Sequence, residues 1–85
     1  MKPPRYDGVE DWSFEWDNGN ESELARHGIR PNEVEEVFLN GPRWRRDKND
    51  VAGDYYMDGR TDGGRPLTIV VQLKAGQILR PITGW

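Results

Sequence analysis

Residues 67–74 alternate in polarity along one extended run. Leu67, Ile69, Val71 and Leu73 fall on one side, and Thr68, Val70, Gln72 and Lys74 on the other. Successive side chains of a strand point to opposite faces, so a period of two marks a strand with one face on a core. Ala75-Gly76 makes a turn, and Gln77 to Thr83 reads as the next strand. Pro81 within it implies an edge position or a bulge, because proline donates no ladder hydrogen bond. Upstream, Tyr55 to Arg60 is a strand candidate closed by Asp62-Gly63-Gly64. Strands joined by short turns pair as an antiparallel meander, and its apolar face needs a cover.

The first half supplies that cover. Ser13-Phe14-Glu15-Trp16 alternates polar and aromatic and reads as a short strand. Asp17, Asn18 and Asn20 are all possible N-caps for a helix from Asn20 to His27, and Gly28 suits the position after its end. Pro31 suits the first turn of a second helix, whose glutamates sit at the positive end of its dipole. Asn32 with Glu35 is a candidate capping box. Val34, Val37 and Phe38 have the spacing of a buried stripe, and Asn40-Gly41-Pro42 stops the helix. Arg43 to Arg46 is a further strand candidate, followed by a polar loop over 47–54. The reading is an α+β domain, ordered β-α-α-β-β-β-β, with two N-terminal helices packed on a small antiparallel sheet. Residues 1–12 are expected as a flexible N-terminal arm and 13–85 as one domain.

A chain of 85 residues builds a thin core. It has no cysteine to brace it, and its four Trp, three Tyr and two Phe compensate by area. No segment approaches the ~20 apolar residues that span a bilayer. The first residues lack the apolar stretch of a secretion signal, so a cytoplasmic location without membrane contact is expected. The net charge of −3 is unevenly spread: ten acids and four bases before residue 41, five acids and eight bases after it. The basic half suits an anion such as nucleic acid; the alternative is a solvated charged surface.

The candidates for chemistry lie in that basic half. If Asp62-Gly63 forms a two-residue turn, Arg60 stands opposite Arg65. Like charges directly opposite are unfavourable, which suggests a pair kept for a phosphate. The alternatives are a three-residue turn with a bulge, which breaks the pairing, and nearby acids such as Asp58, which neutralise it. Arg80, on the last strand, either joins Arg60 on the open sheet face or is a solvated strand residue. Arg43, Arg45 and Arg46 surround Trp44, a pattern that grips phosphates and stacks a base, unless Trp44 is core. Trp85 either closes the core or forms a stacking platform over the sheet. His27 is the only histidine. It is a general-base candidate, although its place beside Gly28 favours a structural role at a helix C-terminus. No metal-binding spacing and no phosphate-cradling loop is present, so no cofactor and no metal is expected.

Phe14-Glu15-Trp16-Asp17, Asn20, Ala25-Arg26-His27-Gly28-Ile29 and Glu33-Val34-Glu35-Glu36-Val37 form an ordered set. Gly59-Arg60-Thr61-Asp62-Gly63-Gly64-Arg65 and Ile78-Leu79-Arg80-Pro81-Ile82-Thr83 continue it. Together they resemble the BrnT family of bacterial toxins, whose fold is like that of RelE ribonucleases. The resemblance implies the toxin of a type II toxin–antitoxin pair, a metal-independent endoribonuclease that inhibits translation. In that chemistry a 2′-hydroxyl attacks the adjacent phosphate while arginines stabilise the developing charge. By position, Arg60 and Arg80 match basic residues of the family's sheet, and His27 matches the histidine of its Lys/Arg-His-Gly motif. Tyr55, Tyr56 or His27 would assist proton transfer. Arg65, Arg45, Arg46, Trp44 and Trp85 would bind RNA. The implied partners are a cognate antitoxin, an RNA substrate such as ribosome-associated mRNA, and operator DNA only through the antitoxin. Glu23 stands where relatives often carry a histidine or other polar residue, and Trp85 where they often carry another arginine. The alternative is therefore a noncatalytic binding module, or corepressor, acting with a DNA-binding antitoxin.

Overall fold

A computed structural model describes residues 3, 4, 6–46 and 55–85. The polar loop expected at 47–54 lies outside them, as do residues 1, 2 and 5 of the expected arm. Within that arm, Tyr6–Asp11 form a 3-10 helix, and Val9 and Trp12 pack against the core. The elements that follow are β1 (Ser13–Phe14), α1 (Asn18–Arg26), α2 (Pro31–Leu39), β2 (Arg43–Arg46), β3 (Tyr55–Arg60), β4 (Pro66–Lys74) and β5 (Ile78–Gly84). Two helices lie against a five-stranded sheet ordered β1-β5-β4-β3-β2.

The sheet is mixed, which corrects the expectation of an antiparallel one. β2, β3, β4 and β5 pair antiparallel in sequence order, but β1 runs parallel to β5, with Ser13 opposite Ile78 and Phe14 opposite Leu79. Short turns dictate antiparallel neighbours for the strands they join. They say nothing of β1, which is separated from β5 in sequence by both helices and the other three strands.

Local chemistry sets each helix. Asp17, in extended conformation, caps α1: its Oδ1 accepts from the Asn20 backbone N–H (3.0 Å), and Asn20 Oδ1 accepts from the Asp17 N–H (2.9 Å). The helix thus starts at Asn18, two residues before the sequence-based boundary. At its far end His27 is the C-cap and Gly28 has φ +72°. The Gly28 N–H donates to the Ala25 carbonyl and the Ile29 N–H to that of Leu24, which closes a Schellman motif. In α2, Pro31 occupies the first turn and Glu33, rather than Glu35, reaches back to the backbone N–H of Arg30 (3.0 Å).

One core joins the layers. Leu24, Ile29, Val34, Val37 and Phe38 meet Met57, Leu67, Ile69, Val71, Leu73 and Leu79, and all are buried. Phe14, Phe38, Trp44 and Tyr55 form a chain of edge-to-face aromatic contacts along its rim.

The β3–β4 turn has three residues, not two. The Gly64 N–H donates to the Thr61 carbonyl, the Thr61 N–H donates to the Arg65 carbonyl, and Gly64 adopts φ +89°. Arg60 therefore stands opposite Pro66, and the expected Arg60–Arg65 pair does not form. Pro81 lies past Ile78 and Leu79, the two β5 residues that β1 pairs. Among the described residues no strand pairs it on that side, and its carbonyl accepts from Asn20 Nδ2 instead, so locally it stands at an edge. The bulge reading holds: the β4–β5 register shifts between Val70 and Val71.

Candidate nucleic-acid interface

Because the helices cover one face, strand alternation assigns the other. Met57, Ile69 and Val71 face the helices. By register, Arg43, Arg45, Tyr56, Asp58, Arg60, Thr68, Val70, Gln72, Lys74 and Arg80 belong to the opposite, open face. Its bases outnumber Asp58 and Glu15, whereas the described part of the helical layer carries Glu21, Glu23, Glu33, Glu35 and Glu36 against Arg26 and Arg30. Most described bases after residue 41 thus lie on the open face, while Arg46 and Arg65 lie on the helical side with the acids.

The densest constellation on the open face surrounds Tyr56. Arg45 Nε and Nη2 donate to Asp58 Oδ2 (2.5 Å) and Oδ1 (3.1 Å), and Thr68 Oγ1 donates to the same Oδ1 (2.8 Å). The hydrogen bonds from Arg45, with that from Thr68, hold the Asp58 carboxyl below its ordinary range; the carboxylate in turn raises the Arg45 guanidinium. That guanidinium stands 4.8 Å from the centre of the Tyr56 ring, within cation–π range. Trp85 continues the β4–β5 ladder by exchanging two hydrogen bonds with Thr68 (2.9 and 3.0 Å). Its ring meets Tyr56 edge-on, with centroids 6.4 Å apart and planes at 65°. Trp85 remains 60% exposed, while Val70, in register with Tyr56, is only 2% exposed on this same face. An apolar floor, an exposed indole and the Arg45 guanidinium held by Asp58, with Arg43 on the same face, offer a stacking surface beside cations, which suits an unpaired base and its phosphate.

The remaining candidates are spread around the molecule. Arg60 Nη1 donates to the Gly64 carbonyl (2.9 Å). Arg65 turns to the helical side, where Nη1 bonds the Gly28 carbonyl (2.8 Å) and both Glu33 oxygens (3.1 Å). Arg80 bonds Asp17 Oδ2 (2.7 Å) and Glu15 Oε1 (3.2 Å), and Lys74 also bonds Glu15 (2.9 Å). These partners raise the Arg80 guanidinium and lower both carboxylates. Arg60 is level with Pro66 and Arg80 with Gln72. That offset along β4 corresponds to about 20 Å at ~3.3 Å per residue, too far for both to bond one phosphate. Trp44 packs edge-on to Phe38 and Tyr55, and Arg46 stands 5.8 Å over the Tyr55 ring, both on the helical side.

His27 belongs to the helical layer as well. Its Nε2 lies 3.2 Å from Glu23 Oε2, which also accepts from Thr83 Oγ1 (2.8 Å), while Arg26 bonds Glu23 Oε1 (2.8 Å). The Thr83 hydrogen bond is the main reason the Glu23 carboxyl is lowered. The sequence offers Asp58 only as a neutraliser of the Arg60–Arg65 pair, whereas it holds Arg45; it does not offer Glu15 or Asp17 as partners of an arginine. The missing signal is register: Asp58 meets Arg45 only when β2 is laid beside β3.

Among the described residues no group of three or more His, Asp or Glu is arranged to hold a metal ion, and no helix is long and apolar enough to cross a membrane. No protein-family model, curated protein or solved structure matches the chain.

Proposed function

We propose that this chain is the toxin of a bacterial type II toxin–antitoxin pair, BrnT-like with a RelE-like arrangement, and that it acts on single-stranded RNA across its open sheet face. The observation that carries the reading is Trp85, exposed and edge-on to Tyr56, with Arg45 against the same tyrosine. A base stacks on Trp85, and Arg45 and Arg43 engage the adjoining phosphates. In the cleavage step the 2′-oxygen loses its proton and bonds to phosphorus, and the bond to the 5′-oxygen breaks with a proton delivered to it. The Tyr56 hydroxyl, on the same face as Arg45, serves that proton traffic, and the guanidinium offsets the charge gained by the phosphate. The protein works in the cytoplasm, and a cognate antitoxin holds it in check and links it to operator DNA.

Induction of the protein alone, with growth and RNA integrity followed, tests this. Arrest with RNA cleavage is expected, and Trp85→Ala lowers affinity for a single-stranded RNA about tenfold or more, because stacking one base contributes about 1–3 kcal/mol. Unchanged RNA affinity in that variant, with the fold retained, sinks the site. A second reading, a noncatalytic RNA-binding module or corepressor, is favoured by the arginines themselves. Arg60 and Arg80 lie far apart, and Arg65 and Arg80 are bound to carboxylates. Normal growth and intact RNA, together with Trp85-dependent binding, select it over the ribonuclease.

A further inference from the structure

The sheet ends at β2, and no described strand lies on its outer side. In an antiparallel ladder alternate residues turn their N–H and C=O away from the existing partner. Half of β2 therefore turns its donors and acceptors outward, away from β3. The side chains along this edge are Arg43, Trp44, Arg45 and Arg46, and the three arginines are exposed. Arg43 and Arg45 stand on the open face, opposite Asp58 and Tyr56, whereas Arg46 stands on the helical side over Tyr55. Among the described residues, Asp58 is the one carboxylate that the β2–β3 pairing sets against them.

We infer that the outer edge of β2 docks an extended acidic segment of a protein partner, added to the sheet as a further strand. Two copies of this chain joined at β2 would place arginine against arginine, so the edge rejects itself. A strand with carboxylates on both faces meets Arg43 and Arg45 on one side and Arg46 on the other, and its backbone answers that of β2. A phosphodiester chain has no N–H to return to the β2 carbonyls, which sets a peptide ahead of RNA at this edge. Resting on the RNA reading above, docking would also engage Arg43 and Arg45 and exclude RNA from the open face.

The test is fluorescence anisotropy with a short labelled peptide alternating glutamate and threonine. The protein is expected to bind it about tenfold more tightly than its glutamine counterpart or a version N-methylated along the backbone. Arg46→Glu is expected to weaken the acidic peptide about tenfold and single-stranded RNA by a clearly smaller factor, because Arg46 is off the open face and acts on RNA only through its charge. Equal binding of the N-methylated peptide, or no effect of Arg46→Glu, overturns the inference. If that variant does not fold, hydrogen exchange on the wild-type protein decides. Slowed exchange of β2 amides with the peptide supports docking, and unchanged exchange, or slowing by RNA alone, overturns it. Peptide binding without RNA binding would defeat the RNA reading and leave this one standing.

Discussion

Asn20 is 3% exposed, yet each polar group of its side chain is answered. Its Nδ2 donates to the carbonyls of Glu15 and Pro81 (2.9 Å each), and its Oδ1 accepts the Asp17 N–H. One amide thereby joins the end of β1, the start of α1 and the bulged stretch of β5. Asn20→Ala strands two carbonyls and an N–H, the Pro81 carbonyl in a buried bond and the other two groups in part-buried ones. Leaving a buried polar group unpaired costs about 1–3 kcal/mol, so a loss of about 2–4 kcal/mol is expected in urea unfolding. A loss below ~1 kcal/mol would mean that water replaces the amide. The sequence displayed Asn20 only as one of three cap candidates. Its second role depends on the Pro81 carbonyl, remote in the chain, and local spacing carries no trace of that. Trp85 is a similar case, since core and platform readings of it differ only in which face of β5 it continues.

At the scale of elements, what was legible had a local cause. Gly28, Pro31 and Gly41-Pro42 fix helix ends through backbone chemistry, and the alternation of β4 fixes its faces. The parallel β1–β5 pairing had no local cause and was missed. The Asp62-Gly63-Gly64 turn offered two loop lengths, and the choice between them separated Arg60 from Arg65. β5 carries the element-scale prediction. Gly84 lies opposite Ile69, and a Cβ added there would stand 2.8 Å from both Ile69 Cδ1 and the Thr68 carbonyl oxygen. The backbone oxygen cannot retreat without breaking its bond to the Trp85 N–H. Gly84→Ala is therefore expected to destabilise the fold by about 1–3 kcal/mol, the usual range for overpacking. Because Trp85 follows directly, the proposed RNA binding is expected to weaken in this variant too, and unchanged stability would show that the ladder yields.

At the scale of the whole molecule, five carboxyl groups tie its parts together: Glu15, Asp17, Glu23, Glu33 and Asp58. Each is held below its ordinary value, 3.8 for aspartate and 4.5 for glutamate, chiefly by hydrogen bonds from Lys74, Arg80, Thr83, the Arg30 backbone and Arg45 respectively. A carboxyl lowered on folding contributes stability that is complete above its unfolded value and is lost as pH falls towards its folded one. Unfolding free energy is thus expected to be flat above about pH 5.5 and to decline below about 4.5, the loss at Asp17 and Asp58 beginning at lower pH than that at the glutamates because their ordinary value is lower. Asp58→Asn separates stability from function within this set. It removes one share of the acid-range decline, so the stability–pH curve becomes shallower there. It also takes a negative charge from the open face and leaves Arg45 without its carboxylate partner. RNA affinity should then rise, and its salt dependence should steepen by up to about 0.7 in log–log slope if Arg45 gains a phosphate contact. Both effects read the same ion pair from opposite sides. A shallower acid transition without tighter RNA binding would confine Arg45 to a structural role and move the phosphate contacts to Arg43 or beyond.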